Sequence, residues 1–110
     1  MSTARSSAQH TLDLLVLTLL ERRGALHGYA LATAIQELSE DALRIDEGSL
    51  YPALYRMTEA GWIRAGWRTT EHNRRARMYQ ITKAGTKRLA EETERWDTFA
   101  AGVTRVLKRA

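Results

Sequence analysis

Tyr51, Tyr55 and Arg56 share one face of the short segment Asp46–Trp62. Five more arginines (Arg64, Arg68, Arg74, Arg75 and Arg77) fall in the eighteen residues from Trp62 to Tyr79, against one acid, Glu71. A guanidinium is a planar fork that matches a phosphate, or the paired acceptors on a guanine edge. Tyrosine hydroxyls on an exposed face more often reach phosphates than bases. The whole chain carries a net charge of +4 over 110 residues, and all of that excess sits in the arginine-rich window. The remainder balances 12 basic against 12 acidic residues. Charge concentrated in this way is the footprint of a protein that holds a phosphate backbone. The plainer reading of the same window is a solvated arginine-rich hairpin.

Other chemistries find little support. His10, His27 and His72 are scattered, and none has a ligand partner at metal spacing. The chain has no cysteine, which removes thiolate metal sites and disulfides and fits a reducing, cytoplasmic setting. Ser39 and Ser49 lack an evident base, and no glycine loop suited to cradling phosphate occurs. No enzyme, metal or cofactor is expected. The longest apolar run, Leu14 to Leu20, is far short of the ~20 residues that span a bilayer. It follows Asp13 and lacks a small-residue cleavage site, so a signal peptide is not expected either.

The face bearing the tyrosines needs a helix to present it. Leu50, Ala53, Leu54 and Met57 recur at helical spacing and form its apolar side. Ser49 is expected to cap its start, with Pro52 in the first turn, and Gly61 to end it in a left-handed conformation. Beyond Gly61 the period falls to about 2. Ile63, Ala65, Trp67 and Thr69 alternate with Arg64, Gly66, Arg68 and Thr70, and Arg77, Tyr79 and Ile81 alternate again after a turn at Asn73. This predicts a β-hairpin with an arginine-bearing tip.

Upstream, residues 1–10 read as a loose lead-in or the frayed start of a helix. Leu12, Leu15, Val16, Leu19 and Leu20 make one helical stripe, while Leu14 and Leu17 fall off it. That helix must be covered on two sides, either by a second subunit against Leu14 and Leu17 or by its own domain. Arg22-Arg23-Gly24 closes it, Leu26-His27-Gly28 reads as a turn, and a second helix from Gly28 to Ser39 places Leu31, Ala34, Ile35 and Leu38 inward. Leu43 and Ile45 suggest a short strand. A last helix begins at a Thr82 cap and runs to about Lys108. Its Leu89, Trp96 and Val103 are spaced by seven, as are Phe99 and Val106, with Glu92 interrupting the seam. Such spacing asks for a partner helix.

Helix, helix, short strand, helix, hairpin, helix is the order of a winged helix-turn-helix, a mainly α fold with a small sheet. Residues 1–83 would form that domain, including the N-terminal helix, and residues 84–110 a C-terminal dimerisation helix.

The segments Leu12-Asp13-Leu14-Leu15-Val16-Leu17, His27-Gly28-Tyr29, Gly48-Ser49-Leu50-Tyr51-Pro52-Ala53-Leu54, Gly61-Trp62-Ile63 and Tyr79-Gln80-Ile81-Thr82-Lys83-Ala84-Gly85 resemble the PadR family of bacterial transcriptional regulators. The Gly-Ser-Leu-Tyr-Pro-Ala-Leu run is the most specific, and the likeness extends from about Leu12 to Leu89. The resemblance implies a homodimeric repressor with one C-terminal helix for dimerisation. Family members often govern detoxification, efflux or transport genes, and several respond to small aromatic molecules. Carried over by position, the DNA-contacting residues are Ser49, Leu50, Tyr51, Pro52, Tyr55 and Arg56 on the recognition helix, and Arg68, Asn73, Arg74, Arg75 and Arg77 on the wing.

The expected partners are double-stranded DNA with a pseudo-palindromic site and a second copy of the chain, met through Leu14, Leu17, Leu89, Trp96, Phe99, Val103 and Val106. A candidate effector slot is lined by Leu15, Trp96, Phe99 and Val103. In the plainer reading Trp96 only fills the dimer core. The competing function is a winged-helix protein-interaction module without specific DNA binding, which would have no use for the +4 hairpin. An RNA-binding reading lacks a base-stacking platform on the hairpin.

Overall fold

A computed structural model describes residues 3–110, with side chains from Gln9 onward. Residues 1 and 2 of the lead-in lie outside the described residues, and the chain is helical from Thr3. The elements are α1 (Thr3–Arg23), β1 (Leu26–His27), α2 (Gly28–Leu38), α3 (Glu47–Glu59), β2 (Ile63–Thr69), β3 (Arg75–Ile81) and α4 (Lys83–Arg109). No helix among the described residues is long and apolar enough to cross a membrane.

The core gathers the other helices and β3 onto α1. Val16 and Leu17 are neighbours about 100° apart on that helix, yet both are wholly buried. Leu31 and Ile35 of α2, Leu50, Leu54 and Met57 of α3, Ile63 and Tyr79 of the sheet, and Leu89 of α4 close around them. Helix α1 is therefore a central helix, covered by its own domain. Leu38, expected inside, is instead 62% exposed at the last residue of α2.

The sheet is antiparallel with strand order β1-β3-β2. β1 occupies Leu26–His27, expected to be a turn, and pairs Leu26 with Tyr79 and His27 with Met78. The short strand expected at Leu43–Ile45 does not form. Glu40 and Asp41 both lie in the left-handed region (φ 52° and 68°), so the chain turns sharply just before it. His27 then caps α2, its Nδ1 accepting the Ala30 N–H at 3.1 Å.

Helix α3 starts earlier than expected. Asp46 caps it, with Oδ1 accepting the Ser49 N–H at 2.7 Å, and Ser49 is the third helical residue. Pro52 consequently falls in the second turn, where the Gly48 carbonyl loses its helical donor and faces solvent. The far end matches expectation. Gly61 is left-handed (φ 82°), the Trp62 N–H bonds to the Met57 carbonyl and the Gly61 N–H to that of Thr58. This is a Schellman closure.

Thr82 joins the end of α3 to the start of α4. Its hydroxyl donates to the Gly61 carbonyl (2.6 Å) and accepts the Gly85 N–H (3.0 Å). Gly85 lies against the Trp62 carbonyl so closely that no Cβ fits. From there α4 runs for 27 residues, ~40 Å at 1.5 Å per residue, and accounts for much of the molecule's 56 Å length.

Candidate nucleic-acid interface

One groove of about 1140 Å³ runs between the N-terminal ends of α2 and α3 and the β2–β3 hairpin. Tyr51 reaches it from α3, and His27, Gly28 and Tyr29 from the start of α2. Arg68, Arg74, Arg75 and Arg77 reach it from the hairpin. Close approach sets the position of Tyr51, because a Cβ at Gly28 would lie 2.7 Å from the Tyr51 hydroxyl. Ser49, Pro52 and Asn73 are exposed on the same elements, and Asn73 turns the hairpin with φ 57°. Tyr55 is 65% exposed one turn beyond Tyr51.

Arg56 departs from its expected place. Its fork closes on Asp13 of α1, with Nη1 to Oδ2 at 3.0 Å and Nη2 to Oδ1 at 2.7 Å. Asp13 is almost wholly buried. Its hydrogen bonds raise the proton affinity of the guanidinium, burial lowers it, and the charges of Asp13 and Glu92 raise it further. The fork expected for a guanine edge is thus already filled by a carboxylate, and α3 is clamped to α1. Neither Asp13 nor this pairing was singled out from the sequence. The available signal was a lone acid inside a leucine run, which must find a cation.

On the hairpin, Trp67 faces Arg77 across the strands, with Arg75 on the diagonal. Both guanidinium carbons lie over the indole, at 5.5 and 4.9 Å from its centroid. Trp67 therefore backs two arginines that line the groove. Tyr29 is 72% exposed at the groove's edge. It falls off the buried Leu31–Ala34–Ile35 stripe of α2.

The residues expected at a subunit interface divide in two. Leu17 is wholly buried and Leu89 nearly so, both in the chain's own core, so neither offers a surface to a second chain. Leu14 is half-buried. Trp96, Phe99, Val103 and Val106 are exposed along the projecting part of α4. Trp96 and Phe99 pack as a tilted ring pair with centroids 5.9 Å apart, and with Leu14, His10, Thr11, Glu92 and Arg95 they line a cleft of about 70 Å³. Of the expected effector slot, Trp96 and Phe99 are there. Leu15 packs on the core instead, its neighbour Leu14 taking the cleft wall, and Val103 lies further along α4 outside the cleft.

A helical core carrying a hairpin wing beside the third helix is a winged helix-turn-helix. Residues 16–91 match the transcriptional regulator PadR-like family, and the chain belongs to that family. A transcriptional regulator of Mycobacterium tuberculosis is 33% identical over 78 residues, covering 71% of this chain and 69% of that protein. A PadR family transcriptional regulator from Eggerthella lenta superposes with a TM-score of 0.75 at 26% identity, over 97% of this chain and 90% of the other. A transcriptional regulator from Clostridium thermocellum gives 0.81 at 25% identity, over 91% and 96%. PadR of Bacillus subtilis, solved in complex with operator DNA, gives 0.64 at 26% identity. That match covers 73% of this chain but only 45% of the longer protein. The family is one of transcriptional regulators, in agreement with the absence of a catalytic constellation in the sequence.

Proposed function

We propose that this protein is a cytoplasmic, homodimeric repressor that binds a pseudo-palindromic double-stranded DNA site and is released by a small hydrophobic or aromatic effector. The groove carries the reading: tyrosines from two helix ends and arginines from the wing converge on one surface. In this reading Ser49, Tyr51, Pro52 and Tyr55 enter or border the major groove. Arg68, Asn73, Arg74, Arg75 and Arg77 track the adjacent backbone. The likeness to a PadR protein bound to operator DNA supports it. Arg56 acts indirectly, by fixing α3 on α1.

The apolar strip Trp96, Phe99, Val103 and Val106 is the surface for a second chain, and the Trp96–Phe99 cleft, completed by that chain, takes the effector. The alternative of a pure docking module leaves the groove arginines without a role. Footprinting the purified protein on the DNA upstream of its own gene tests the proposal. Protection of an inverted repeat at physiological salt is expected. Binding no tighter than to competitor DNA would overturn it.

A further inference from the structure

Two buried carboxylates and three arginines form one cluster between the cleft and α3. Glu92, 1% exposed, lines the cleft. Its Oε1 pairs with Arg88 Nη2 at 2.7 Å, accepts from Arg95 Nη1 at 3.4 Å and lies 3.1 Å from His10 Nδ1. Arg95 Nη1 also lies 2.7 Å from His10 Nδ1 and 2.9 Å from Nε2, so the imidazole sits between the Glu92 carboxylate and the Arg95 guanidinium. Ligating atoms of His10, Asp13 and Glu92 all lie within 4.8 Å of one another. Asp13 in turn holds both prongs of Arg56, and the charge of Glu92 adds to the field that Arg56 feels. Three guanidiniums around two acids leave one cation in excess. A divalent metal would add charge to a site already positive, so the cluster is an ion-pair network rather than a metal site.

We propose that this cluster links the Trp96–Phe99 cleft to α3: Glu92 keeps Arg88 and Arg95 off Asp13, and so leaves Asp13 free to clamp Arg56. Among the described residues Glu92 Oε2 has no partner, although it is buried. Any group that enters the cleft and engages Glu92 or Arg95 changes how the guanidiniums are shared. The displaced cation is left beside Asp13, which has a ligating oxygen within 4.8 Å of those of Glu92 and His10, and competes with Arg56. The clamp on α3 loosens, and with it the presentation of Tyr51 and Tyr55. Asp13 is thus a positioning residue for the groove. The linkage deepens the proposed repressor function and rests on it for its biological meaning.

A double-mutant cycle on the full-length protein tests the link. Operator affinity is measured for wild type, Glu92→Gln, Asp13→Asn and the double variant. Each single change is expected to weaken binding by about 5-fold, and the double variant to bind within ~2-fold of the weaker single. Losses that multiply, or a Glu92→Gln protein that binds as wild type, overturn the linkage. Amide exchange across residues 47–59 makes the same comparison without DNA. Protection of α3 should fall in Glu92→Gln and fall no further in the double variant. If Glu92→Gln does not fold, His10→Ala perturbs the same carboxylate from the cleft rim. A wild-type protein that binds no DNA site refutes the repressor reading, while the exchange data still decide the linkage.

Discussion

Arg56 and Arg74 are the same residue type with opposite surroundings, and that difference governs what each does. Arg74 is exposed at the hairpin tip, with a backbone tied only to Thr70. If it holds a phosphate, Arg74→Ala should flatten the plot of log K against log salt by ~0.9 and leave thermal stability unchanged. Unaltered affinity and slope would remove the tip from the binding surface. Arg56 balances a buried charge. Arg56→Ala strands the Asp13 carboxylate away from water, and urea unfolding should show a loss of ~3 kcal/mol. A variant as stable as wild type would show that Asp13 finds its balance elsewhere. Trp67 belongs to the same scale, because its ring holds Arg75 and Arg77 beside the groove.

The elements are held together at their ends. Asp46, Gly61 and Thr82 set the limits of α3 and α4, and Thr82 ties one helix to the other. Gly85→Ala drives a methyl group into the Trp62 carbonyl and into Ile81, so either α4 or the close of α3 must shift. A loss of about 3 kcal/mol is expected from thermal or denaturant melts. A well-folded Gly85→Ala protein with wild-type Tm would contradict that packing. Pro52 makes the opposite prediction. It sits inside α3 and deprives the Gly48 carbonyl of its donor, so Pro52→Ala should stabilise the fold by ~1 kcal/mol. Destabilisation would mean that the ring is packed in a role its exposed position conceals.

At the scale of the molecule, the C-terminal half of α4 carries an exposed apolar strip. Trp96, Phe99, Val103, Val106 and Leu107 are all more than a third exposed. Exposed apolar residues aligned along a helix suit the second copy that the proposed function calls for. A second copy would bring two grooves to one duplex, with half-sites about 34 Å apart. Val106→Glu places a charge in that strip, and sedimentation should shift from paired to single chains at micromolar concentration. Operator affinity should fall in the same variant, and a dimer that survives the change would place the interface elsewhere on the chain.

Local patterns in the sequence were enough for the four helices, the hairpin with its arginine tip, the left-handed Gly61, the Thr82 cap and the apolar face of α3. Each depends on neighbours within a few residues. They were not enough for the short strand, which forms at Leu26–His27 by pairing with β3 rather than at Leu43–Ile45. Leu17 and Leu89 read as interface residues from the sequence but lie in the chain's own core, because periodicity reports that a helix has two apolar sides and is silent on whether the second is covered by the same chain. Asp13 and Arg56 are 43 residues apart, and Glu92 and His10 are 82 apart. No local pattern pairs them. Folding sets α1 between α3 and α4, and charges that cannot reach water must then find one another.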